Sequence, residues 1–200
     1  MNHTAVAQGP NQHHTSTGLP MFKLGFWVFI GSETLLFGTL ISTYMIYRGE
    51  SVTGPFPKDI FSIPLTTFSA FVLLMSSLTM VLALAAVKRG DRKLGMRWLL
   101  TTAALGSVFL GFQAYEFTHF AAEGLTMGSN LFGSTFYLMT GFHGAHVSIG
   151  VFWLLALWLE GLRGGLGQDS AVRVEVCGLY WHFVDIVWIA IFTFVYLFEV

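Results

Sequence analysis

The chain has 200 residues, 54% of them hydrophobic and only 10% charged, with a formal net charge of −1. A soluble domain carries roughly 25% charged residues, so the composition excludes an ordinary globular protein, and the near-zero balance leaves no basic surface for nucleic acid. The single cysteine, Cys177, excludes an internal disulfide framework and any all-protein cysteine cluster; at the start of an apolar run it reads as a packed thiol.

Residues 1–21 are polar and hold His3, His13 and His14. They contain no apolar core, so the stretch reads as a polar N-terminal tail and not as a cleavable signal peptide. Residues 22–200 carry five apolar runs, at 24–47, 63–87, 96–120, 131–159 and 174–198. Each is close to or above the roughly 20 residues a helix needs to cross the hydrocarbon core. The expected fold is therefore an all-α membrane protein, a bundle of five transmembrane helices.

The first run carries Glu33 about ten residues in, near the middle of the bilayer. Its neighbours Gly31, Ser32 and Gly38 are small and favour close helix contact. A carboxyl at that depth reads as a structural group bonded to another helix, a polar anchor in a lipid pocket, or a proton carrier. The connector at 48–62 holds Gly54, Pro55 and Pro57 and is a loop. After the second run comes KRGDRK, at 88–93, short enough to demand a tight antiparallel pair. The third run ends with Gln113, Glu116 and His119, expected along one face near the membrane surface with Tyr115 beside them. Glu116 and His119 also make a Glu-x-x-His, a spacing used twice in di-iron helical bundles but present once here.

The fourth run contains GFHGAH, which sets His143 and His146 three residues apart with Gly141 and Gly144 thinning the helix beside them. Such a pair can ligate haem or a metal, or can hydrogen-bond between helices. The last run contains YWHFVDIVW, where His182 and Asp185 are again three apart and share a face. A charged, unpaired acid at this depth costs about 2.5 kcal/mol or more, so these groups are expected to meet one another across helices. The tryptophans inside the runs read chiefly as packing residues.

Cations set the expected orientation. Lys88, Arg89, Arg92, Lys93 and Arg97 cluster between the second and third runs, and Arg163 and Arg173 fall on the same side. The loop after the third run has Glu123 and no Lys or Arg. This predicts an N-terminus inside and a C-terminus outside, with Arg97, Arg163 and Arg173 as lipid headgroup candidates. No internal repeat stands out, which weighs against an inverted-repeat carrier that would use Glu33 and Asp185 for transport.

Four segments in order resemble subunit III of the haem–copper terminal oxidases. They are WVFIGSETLLFG at 27–38, LGFQAYEF at 110–117, YLMTGFHGAHVSIG at 137–150 and YWHFVDIVWIAIF at 180–192. The similarity spans about residues 22–200 and looks like the short, five-helix bacterial form, without the two N-terminal helices of the seven-helix members. The resemblance implies a non-catalytic subunit that binds no haem or copper itself. It implies packing chiefly on subunit I, which holds the haems and copper, and assembly with subunit II, with further respiratory subunits as added candidates. It also implies bound phospholipid, aerobic respiration and proton pumping in a bacterial plasma membrane. On that reading Glu33, Glu116, His143, His146, His182 and Asp185 line a lipid pocket or a structural polar cluster. Cytochrome c is the expected electron donor of the complex, on the wording around Glu33 and GFHGAH, and quinol is the alternative.

Overall fold

The computed structural model describes residues 21–51, 54, 61–167 and 170–198. The tail histidines and the middle of the first connector lie outside the described residues. Within them the chain is all-helical. Five helices are long and apolar enough to cross a membrane. They are α1 (Met21–Tyr47), α2 (Ile63–Lys88), α3 (Arg92–Ala122), α4 (Leu131–Leu162) and α5 (Ala171–Ile191), the last continued by a π-helical turn, Phe192–Leu197.

Local chemistry explains where the helices start and stop. Pro64 sits in the first turn of α2, where its missing N–H is harmless. Asp91 accepts from the backbone N–H of Leu94 at 3.0 Å and so caps α3. Asn130 does the same for α4 through Gly133 N–H at 2.7 Å. Gly90 closes the α2–α3 turn at φ 79°, a conformation that a side chain would strain. The tight antiparallel pair expected there is present, and α2 and α3 form the most extensive helix contact. Their hydroxyls meet once, Thr79 to Thr102 at 2.8 Å.

The core is filled around α5. Trp181 is 1% exposed and lies in a slot between α3 and α4. The slot exists because Gly106 and Gly150 have no side chains. A Cβ at Gly106 would lie 2.5 Å from the Trp181 ring, and one at Gly150 would lie 2.7 Å from it. The indole N–H then donates to Ser76 Oγ of α2 at 2.8 Å. One residue thus ties α5 to three other helices. A second aromatic cluster, Phe61, Phe120, Phe132, Phe136 and Tyr196, packs the opposite end of the bundle.

α1 stands apart from this core. It packs on α4 and α5 and is the most exposed of the five. Gly31 and Gly38 have nothing within 4 Å of where a Cβ would be, and Ser32 is exposed. The close helix contact expected at these small residues is therefore not made within the chain. The helix is instead seated by Phe37, 2% exposed, and Tyr44, 0% exposed.

Candidate functional site

The polar residues singled out in the apolar runs resolve into separate clasps, each joining a different pair of helices. The first joins α1 to α4. His146 Nδ1 lies 2.7 Å from the carbonyl of Phe142, one turn back, and so carries a proton toward it. Nε2 then faces Glu33 Oε2 at 3.1 Å across a single proton, held as a neutral pair or as an ion pair. The two side chains are 12% and 17% exposed, which places the pair at the edge of the bundle. Phe37 lies edge-on to His146, with centroids 5.0 Å apart.

The second clasp joins α2 to α5. Ser77 Oγ is 2.9 Å from His182 Nδ1 and is also bonded to Asp185 Oδ2. The 182/185 spacing does put both groups on one side of α5, where Ser77 bridges them. The three residue types are those of a hydrolytic triad, but their order is wrong for one. The serine stands between histidine and acid, so the carboxylate cannot orient the imidazole as a base. The arrangement is a helix-to-helix bridge.

The third clasp joins α2 to α3. Glu116 is 5% exposed and bonded to Thr66. Gln113, 7% exposed, donates to the Thr140 carbonyl of α4 at 2.7 Å. It fits because residue 144 is glycine, whose absent Cβ would lie 2.6 Å from Gln113 Oε1. His119 and Tyr115 do not join this face. Both are exposed, and their rings meet edge-on at 6.3 Å. His119 and Tyr115 point outward because the buried stripe at this end of α3 is set by Gln113, Glu116 and Phe120.

His143 takes none of these roles. It is fully buried, stacked on Trp188 with centroids 4.8 Å apart and met edge-on by Phe109 at 5.7 Å. His143 and His146 share the Phe37 ring as an edge-on neighbour and are otherwise held apart, and among the described residues no group of three His, Cys, Asp or Glu side chains converges as a metal site. Gly141, expected to thin α4 beside them, has open space next to it.

Where α1 and α5 begin and α2 ends, Lys23 of α1 bonds Glu175 of α5 at 2.8 Å, with Lys88 of α2 at 3.9 Å from the same carboxylate. Arg92 donates through Nε to the carbonyl of Gly161 at 2.9 Å and reaches Leu162, closing the end of α4. Of the headgroup candidates, Arg97 and Arg163 are exposed. Arg173 is already paired with Glu160 at 2.5 Å. An apolar groove of about 450 Å³ runs between α1 and α5. Trp27, Thr34, Gly38, His182, Phe183 and Ala190 are among the residues lining it, so the Ser77 clasp borders the groove through its imidazole.

Sequence reasoning located the acids and histidines, including both members of the Glu33–His146 pair, but missed the hydroxyl partners. Ser77, Thr66 and Ser76 are ordinary residues of an apolar run. Their one signal is a hydroxyl at a small-residue position where helices approach.

Comparison with known proteins gives the following. The family model described as cytochrome c oxidase subunit III matches residues 3–200. A cytochrome c oxidase subunit 3 of Alkalihalophilus pseudofirmus is 42% identical over 195 residues, covering 92% of this chain and 95% of that protein. A probable quinol oxidase subunit 3 of Staphylococcus saprophyticus is 41% identical over 176 residues, 88% of each chain. A quinol oxidase subunit 3 of Bacillus spizizenii is 37% identical over 191 residues, covering 96% of this chain and 93% of that one.

Proposed function

The chain belongs to the cytochrome c oxidase subunit III family, which makes it a multi-pass bacterial membrane protein and a subunit of a haem–copper terminal oxidase assembled with other oxidase subunits, and on that premise we propose that it is the non-redox accessory subunit of a proton-pumping enzyme. It packs on subunit I, assembles with subunit II, holds phospholipid and sustains turnover. Haem and copper reside in the partners.

The observation that carries this reading is the use to which the polar groups are put. His146 is spent on Glu33, His182 on Ser77, and Glu116 on Thr66, each across a helix boundary. His143 is enclosed by aromatic rings. Side chains committed in this way fix which helix lies beside which and are not arranged to pass electrons. The α1–α5 groove supports the lipid assignment, since its walls are apolar along most of their length and it is the size of an acyl segment. Glu33 and His146 serve as structural anchors between α1 and α4. The loop cations support an orientation with the N-terminus inside and the C-terminus outside.

For the electron donor we propose cytochrome c, supported by the Alkalihalophilus pseudofirmus relative at 42% identity. The quinol reading is favoured by relatives of almost the same identity that are named quinol oxidase subunits. The deciding experiment is purification from native membranes through a tag on this chain. A co-purifying subunit II with a dinuclear copper motif, and oxygen uptake driven by reduced cytochrome c, support the first reading. A subunit II without that motif, and uptake driven by quinol, support the second. A preparation without haem overturns both.

A further inference from the structure

Four buried side-chain polar atoms have no hydrogen-bond partner among the described residues: both ring nitrogens of His143, Oδ1 of Asp185 and Nε1 of Trp188. They belong to three side chains on α4 and α5. His143 stacks on the Trp188 indole, and Asp185 lies one helical turn before Trp188 on α5. The three residues are 0%, 3% and 2% exposed. None of the four atoms is accounted for by the clasps described above, because Asp185 uses only Oδ2 on Ser77. Unmade bonds of this kind are rare in buried sites, and rarer still where no solvent reaches.

The chemistry of the four atoms restricts what satisfies them. The indole N–H is a donor. A neutral imidazole presents one donor and one acceptor. Asp185 Oδ1 is an acceptor whether or not the carboxyl holds a proton on Oδ2. The cluster thus offers two donors and two acceptors. A cation satisfies only the acceptors, an anion only the donors, and an acyl chain neither. Water presents two of each. We propose that the core between α4 and α5 contains a water-binding site formed by His143, Asp185 and Trp188, closed on the α3 side by Phe109. The site continues the Ser77 bridge inward, so the α2–α5 clasp and the His143 cage form one hydrated polar seam, not two isolated defects.

The test is a density map of the intact oxidase complex, at a resolution that shows ordered water elsewhere in the subunit. The expected result is a peak within hydrogen-bond distance of Asp185 Oδ1 and of at least one of the His143 and Trp188 nitrogens, and its loss or displacement in Trp188→Phe. Direct apolar contact with no peak overturns the proposal, as does a peak with the short, numerous contacts of a metal ion. A second measurement does not depend on the map. If the site is wet, His143→Phe removes a bonded imidazole and lowers the melting temperature of the complex. If the imidazole is dry and unbonded, a ring of similar shape relieves it and the melting temperature rises, which contradicts the proposal. Should His143→Phe fail to assemble, the wild-type map decides alone.

Discussion

At the scale of single residues, the polar side chains contribute less to stability than to register. A hydrogen bond between membrane helices is worth about 0.6 kcal/mol on average, so His182→Leu, which leaves Ser77 bonded to Asp185, is expected to lower the resistance of the bundle to detergent only slightly. Overpacking is worse. A Cβ at residue 150 would stand 2.7 Å from the Trp181 ring, which is braced on its other side by Gly106. Gly150→Ala is therefore expected to destabilise by about 1–3 kcal/mol, and to release the subunit from the complex at a lower detergent concentration than His182→Leu does. The reverse order, read by retention on a tagged complex, would show that the clasps and not the tryptophan slot hold the bundle. The sequence displays Glu33, His143, His146, His182 and Asp185 plainly, because an ionisable group in an apolar run has no other background. It does not display the slot, because nothing about Gly106 or Gly150 differs in the sequence from glycines that face open space, such as Gly111 or Gly141.

At the scale of helices, α1 is the element that depends most on its clasps. Polar contacts that seat it include Lys23 to Glu175 near its N-terminus and Glu33 to His146 further along, with Phe37 and Tyr44 buried beyond. Lys23→Glu sets two acids against each other and is expected to speed hydrogen exchange in the N-terminal half of α1, while Lys23→Glu combined with Glu175→Lys restores part of the protection. Equal exchange in all three proteins would show that α1 is held by packing alone. Five spans were legible from hydropathy because bilayer thickness sets a minimum helix length. Which faces meet was not. In water an apolar stripe marks the buried face, but lipid is as apolar as a protein core. His119 shows the consequence. It was expected on the face of Glu116, and the structure turns it outward, because the third helix buries a stripe set by Gln113, Glu116 and Phe120.

At the scale of the whole molecule, most ionisable groups inside the spans are spent on contacts between helices, which leaves an apolar groove and an exposed first helix. Filling the groove tests the lipid assignment. Residue 38 lines it with open space at its Cβ, so Gly38→Leu is expected to leave the fold intact and to lower the phospholipid that co-purifies. Unchanged lipid content would place the lipid elsewhere. The most direct test of the central claim is the time course of oxygen consumption by the purified oxidase carrying Glu33→Ala. A structural and lipid-holding role predicts an initial rate close to that of the unaltered complex, followed by earlier loss of activity during turnover. An immediate and complete loss of activity would contradict it, by giving Glu33 a direct part in the reaction.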